Sequence, residues 1–202
     1  AVLPAALARY AREFPGVDID IASGTADALV AETSGGALDF YVGQFATSQT
    51  GLTATAIGRF PVALISGSRR GLMPMKPVRL TEIAPLKLFV PSATNSLRPK
   101  IDSAIRNGDI VVERTISIAS LSAGLEFLNL ADWSSILPFW ICLKELANDR
   151  VTVNPIVEPA ISVELALIHP AQRPLSRASR QLYDYFLQEL RRCEAEWQRM
   201  TR

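Results

Sequence analysis

The apolar residues of this chain switch repeatedly between helical spacing and strand alternation, which restricts it to a fold of strands interleaved with helices. Leu3, Leu7, Tyr10 and Phe14 recur at helical spacing, Pro15-Gly16 breaks the pattern, and Val17, Ile19 and Ile21 then alternate with Asp18 and Asp20. The expectation is helix, turn, strand. A second helix is predicted from Thr25 to Ser34, closed by Gly35-Gly36, before a short strand from Leu38 to Gly43. Segments rich in β-branched residues follow at Leu52 to Ile57 and Pro61 to Ser66, and then a stretch punctuated by Gly67, Gly71, Pro74 and Pro77.

The remaining chain repeats the alternation. Strands are expected at Lys87–Val90, Val111–Ile118, Ser134–Leu137, Val151–Ile156 and Ser162–Ile168, with helices at Arg98–Asn107, Ser120–Leu128, Pro138–Ala147 and Arg177–Arg199. Such an order predicts parallel sheets covered by helices on both faces. The last helix places Leu182, Phe186, Leu190, Cys193 and Trp197 on one face.

Composition narrows the function. The 202 residues carry 21 Lys and Arg against 20 Asp and Glu, for a net charge of +1, so no basic surface for nucleic acid is expected. The densest basic pairs, Arg69-Arg70 and Arg191-Arg192, read as solvated surface. Two cysteines, Cys142 and Cys193, make neither a disulfide framework nor a metal cluster and suit a reducing compartment. The longest charge-free apolar stretches, such as Trp133 to Leu143, fall well short of the ~20 residues that span a bilayer. The opening Ala1-Val2-Leu3-Pro4 has no basic segment leading into an apolar one, so no secretion signal is read there.

Catalytic and cofactor motifs are missing from this reading. The one histidine, His169, stands directly before Pro170 at a strand end. The carboxylate pairs Asp18 with Asp20 and Glu194 with Glu196 read as solvated charges. The glycines match neither a dinucleotide nor a phosphate-cradling loop, so no cofactor, no metal and no enzyme is expected. What recurs instead is a strand leading through a polar turn into a helix: Ser23-Gly24-Thr25, Pro91 to Ser96, and Ser120. In open α/β sheets these turns gather at the carboxyl ends of strands, where free helix N–H groups favour an anionic guest. Each hydroxyl can equally be the cap of its own helix. Ser92, Thr94, Asn95 and Ser96 exceed what one cap needs, and Arg98 either adds a charged contact or faces solvent. Phe139, between Trp133 and Trp140, is either a pocket wall or core.

Over nearly its whole length the chain resembles the regulatory domain of LysR-type transcriptional regulators. The matching residues are Leu3-Pro4, Leu7, Phe14-Pro15, Val17, Gly24, Leu29, Gly36, Leu38, Asp39, Ser117-Ile118, Ala123-Gly124, Ile136-Leu137-Pro138 and Arg173-Pro174-Leu175-Ser176. The resemblance implies two Rossmann-like lobes joined by two crossovers, the type 2 periplasmic-binding-protein fold, with lobe I at residues 1–64 plus 163–202 and lobe II at 65–162. It also implies a small-molecule effector held between the lobes, contacted at Thr25, Ser92 through Ser96, Ser120 and Leu121, to which the reading of the residues themselves adds Gly24, Arg98 and Phe139 as candidates. Further implications are a homodimer or tetramer in the cytoplasm, no membrane contact, and DNA binding only through an N-terminal helix-turn-helix outside this chain.

The chain departs from the family pattern twice. It opens at the Leu-Pro pair, ahead of which the family has a strand and a hydroxyl-bearing turn. One wall of the cleft is therefore expected to be missing or altered. Leu125 to Ser135 stand where the family often has a Gly-rich stretch. A solute receptor of a transport system, with the same fold, is the rival reading, and an enzyme on a related scaffold is the third.

Overall fold

The structure is a computed structural model that describes residues 2–44 and 51–202. Ala1 and residues 45–50, which the expected lobe I includes, lie outside the described residues. The chain divides into two units: unit 1 comprises Ala1–Arg59 and Glu164–Glu196, and unit 2 comprises Phe60–Val163 and Trp197–Arg202.

Unit 1 is built from α1 (Val2–Glu13), α2 (Ala26–Gly35), β1 (Tyr41–Gly43), the first part of β2 (Leu52–Gly67), most of β8 (Ser162–Pro170) and α6 (Arg177–Met200) as far as Glu196. β1 pairs antiparallel with β8, Tyr41 opposite Ile168 and Gly43 opposite Ala166. The spacing that predicts α1 also explains its packing: Ala6 and Tyr10 share one face and meet Tyr185 of α6, with Ile19, Leu182 and Phe186 against them. A polar seam closes this helix pair. Arg9 lies 3.9 Å over the Tyr185 ring and donates to Glu13 Oε1 at 3.0 Å, while the Tyr185 hydroxyl donates to Glu13 Oε2. α2 ends in a left-handed Gly36, whose N–H returns to the carbonyls of Glu32 and Thr33.

The expected strand at Val17–Ile21 does not form, and residues 17–24 are neither helix nor strand. Alternation specifies two faces, but a strand also needs a neighbour for its backbone. None of the described residues provides one. Leu52 to Gly67, expected as two segments, is one 16-residue strand.

Unit 2 is a mixed sheet, not the purely parallel one expected. The end of β2 runs antiparallel to β6 (Ser134–Pro138) on one side and to β7 (Val151–Glu158) on the other. β4 (Leu86–Val90) is parallel to β6 and to β5 (Val112–Ser117), and the two-residue β3 (Val78–Arg79) is parallel to β7. The helices α3 (Arg98–Arg106), α4 (Leu121–Leu130) and α5 (Phe139–Glu145) lie in the connections that follow β4, β5 and β6. Leu64, Ile65, Leu86, Leu88, Phe89, Ile101, Leu128 and Ile136 are fully buried. Gly124 lets α4 sit directly on the sheet, because a Cβ there would lie 2.3 Å from the Phe89 ring. The punctuated stretch 67–77 lies inside unit 2, so the chain passes between units within β2 and β8.

Candidate functional site

The strand order β6-β4-β5 places the site in unit 2. From β4 the chain passes through α3 to β5 on one side, and from β5 it returns through α4 to β6 on the other. Right-handed crossovers then put α3 and α4 on opposite faces of the sheet, and the reversal opens a switch point at the carboxyl ends of β4 and β6. Val90 is opposite Ser117 in the parallel ladder, and the Ile118 N–H donates to the Val90 carbonyl at 3.2 Å. The turns Pro91–Leu97 and Ile118–Ser120 therefore leave the same edge of the sheet side by side.

Each turn is ordered from within. In the first, Ser92 Oγ and Thr94 Oγ1 are 3.1 Å apart, the Asn95 N–H donates to the Ser92 carbonyl at 3.0 Å, and Asn95 Oδ1 accepts from the Leu97 N–H at 2.9 Å. Leu97 is buried and anchors the turn, leaving Thr94, Asn95 and Ser96 exposed. In the second, Ser120 Oγ accepts from the Ala123 N–H at 3.3 Å and lies 3.0 Å from Ser122 Oγ. That cap satisfies one orphan N–H of α4, and the rest of the first turn is left without an intrahelical partner. Exposed hydroxyls and an amide ring this edge, with Leu121 beside them at 41% exposure. The arrangement can donate several neutral hydrogen bonds to a carboxylate or hydroxyl group.

Two expected contacts are used elsewhere. The Arg98 guanidinium turns back, Nε donating to Asp102 Oδ1 at 2.8 Å and a terminal nitrogen to the Pro91 carbonyl at 2.9 Å. It braces the turn through the Pro91 carbonyl, with its charge paired to Asp102. Phe139 directly follows β6, but its side chain is fully buried, with ring centres of Phe60, Trp140 and Trp197 at 6.1, 5.2 and 5.9 Å. Gly24 and Thr25 belong to unit 1, where Thr25 Oγ1 caps α2 by accepting from the Ala28 N–H at 3.3 Å.

Sequence reasoning missed the polar interior of this sheet. Ser66 Oγ and Ser134 Oγ are 2.7 Å apart at a paired position of β2 and β6. Ser135 Oγ is buried without a partner among the described residues. Buried Asn154 donates from Nδ2 to the carbonyls of Met73 and Lys76, fastening the loop before β3, while its Oδ1 accepts from none of the described residues. The signal was present as Ser134-Ser135 and Asn154 within otherwise apolar strands.

Other chemistry finds little support. Burial drives the Cys142 thiol well above its ordinary pKa, and burial likewise raises that of Cys193. His169 Nδ1 lies 2.9 Å from the Pro170 carbonyl. Among the described residues, no group of three His, Cys, Asp or Glu side chains could hold a metal ion, and no helix is long and apolar enough to cross a membrane.

A family model described as LysR substrate binding domain matches residues 1–191. No curated protein matches the chain. Among solved structures, a Corynebacterium glutamicum OxyR C206 mutant is 16% identical, with a TM-score of 0.78 over 97% of this chain and 62% of that one. The BenM effector binding domain with its effector benzoate is 14% identical, with a TM-score of 0.76 over 96% and 88%. The effector binding domain of QuiR in complex with shikimate is 16% identical, with a TM-score of 0.70 over 94% and 90%. The chain thus spans less than two thirds of the OxyR chain and most of the two isolated effector domains.

Proposed function

The chain belongs to the LysR substrate-binding domain family, and we propose from this that it senses a small organic anion for a LysR-type DNA-binding transcriptional regulator. The two units are the two lobes of the type 2 periplasmic-binding-protein fold. DNA contact belongs to a separate helix-turn-helix, and the regulator works as a homodimer or tetramer in the cytoplasm.

One observation carries the reading. The turns after β4 and β5 leave one sheet edge together, beside the switch point of β4 and β6, presenting Thr94, Asn95, Ser96 and Ser120 while the Arg98 guanidinium is engaged by Asp102 and the Pro91 carbonyl. A neutral, hydroxyl-rich edge beside a helix start suits a monocarboxylate, held by hydrogen bonds and the helix dipole. Gly24, Thr25 and Leu121 are further contacts in the family pattern. Benzoate and shikimate, the ligands bound by the BenM and QuiR effector domains, are the natural first probes.

Calorimetry on a panel of organic acids that includes these two tests the reading. A hydrogen bond to a charged group contributes roughly 1.5–3 kcal/mol, so Ser96→Ala and Ser120→Ala should each weaken the best-bound acid by about tenfold or more. Unchanged affinity in both variants and in Thr25→Ala would overturn the site. The cap lost in Ser120→Ala is controlled by Ser120→Gly, which restores most of the helix start but not the hydroxyl.

A further inference from the structure

The first turn of α3 is held from two sides. Arg98 donates back to the Pro91 carbonyl and on to Asp102, which braces the turn at residues 91–97 of the candidate site. Two residues later, Lys100 Nζ donates to the Ser162 carbonyl at 2.8 Å, and Ser162 is the first residue of β8. At 3.6 residues per turn the two cations stand roughly 200° apart around the helix, with buried Leu97, Ile101 and Ala104 between them. Lys100 is half-buried and forms no ion pair among the described residues, so its charge serves the backbone of a strand. That strand carries the chain into unit 1 directly after Val163. Through the sheet the same two places are separated by two strands, because β6 and β2 stand between β4 and β8 in the strand order.

We propose that Lys100 is a positioning residue, which couples the turn at 91–97 to the root of β8 through the first turn of α3. The use of that coupling in sensing rests on the effector reading of the turn. A guest hydrogen-bonded at Ser96 pulls on the start of α3, the buried stripe moves with the helix as one body, and Lys100 passes the displacement to Ser162. A charge-assisted hydrogen bond made in one state and lost in the other biases the two states by about tenfold or more. Lys100 thus gives the turn a route to the crossing strand that bypasses the sheet.

Amide hydrogen exchange on the full 202-residue chain tests the coupling without any guest. Arg98→Ala releases the turn, and it should speed exchange at Asn95 and Leu97, whose N–H groups close the turn, and also at residues 161–164, by about tenfold or more. Lys100→Met keeps an apolar stem but removes the donor. In that background Arg98→Ala should still speed exchange at Asn95 and Leu97 while adding nothing at 161–164, and Lys100→Arg should restore the distant response. A parent chain in which Arg98→Ala leaves 161–164 unmoved overturns the proposal, and so does equal acceleration there with and without the Lys100 donor. Because no guest is used, a chain that binds no organic acid in calorimetry loses the effector reading and not the coupling.

Discussion

A methyl group on Gly124 would fall 2.3 Å from two carbons of the Phe89 ring, a contact that only movement of α4 or of the ring could relieve. Gly124→Ala is therefore expected to lower stability by about 1–3 kcal/mol, despite alanine's better helix propensity, read as a lower urea midpoint at unchanged slope. Gly67 is tighter still, its absent Cβ lying 2.0 Å from the Ala131 carbonyl oxygen. Single residues were legible where their role is local. Thr25 and Ser120 cap the helices they precede, as their positions suggested. Arg98 and Phe139 left two uses open because solvent and core are separated only by tertiary packing. The same packing gives Gly124 and Gly67 their reasons, and no local pattern contains it.

Helices were the most legible elements, since each carries its own hydrogen bonds and its apolar face shows in the spacing. Strands were legible only as segments. Val17–Ile21 has the right alternation but no ladder to any described residue, β3 is too short to show a period, and the antiparallel placement of β2 against β6 and β7 is invisible in any one of them. The switch point that defines the candidate site depends on that strand order, so sequence supplied its turns but not the reason they meet. At this scale the α1–α6 seam makes a prediction. The Tyr185 hydroxyl, and next to it Arg9, hold the Glu13 carboxyl below its ordinary pKa. A lowered native pKa contributes stability that is present above the unfolded value, about 4.3 for glutamate, and is lost as pH falls through the native value. In thermal melts from pH 7 to 3, Tyr185→Phe should start less stable and lose less on acidification below about pH 4.3 than the parent. Parallel curves would show that the seam carries no such linkage.

Over the whole molecule, α6 is the helix that both units share, alongside the strands β2 and β8: its residues to Glu196 belong to unit 1, and from Trp197 onward to unit 2. Trp197 is buried 5.9 Å from the Phe139 ring, in the aromatic group with Phe60 and Trp140. Trp197→Ala should therefore cost about 3–5 kcal/mol, with faster amide exchange at Phe60–Leu64 and Phe139–Cys142, while Trp197→Phe should keep most of the stability. Exchange that accelerates only in residues 177–196 would show that the indole serves the helix alone. The chain crosses from unit to unit at Arg59/Phe60, Val163/Glu164 and Glu196/Trp197, each time inside a strand or helix. Neither unit is therefore an uninterrupted stretch of gene, and no single pair of cuts in the coding sequence releases one of them whole. Recombination can transplant the pair together, but exchanging one unit between related chains requires three splices, two inside strands and one inside a helix, each preserving the register of its element.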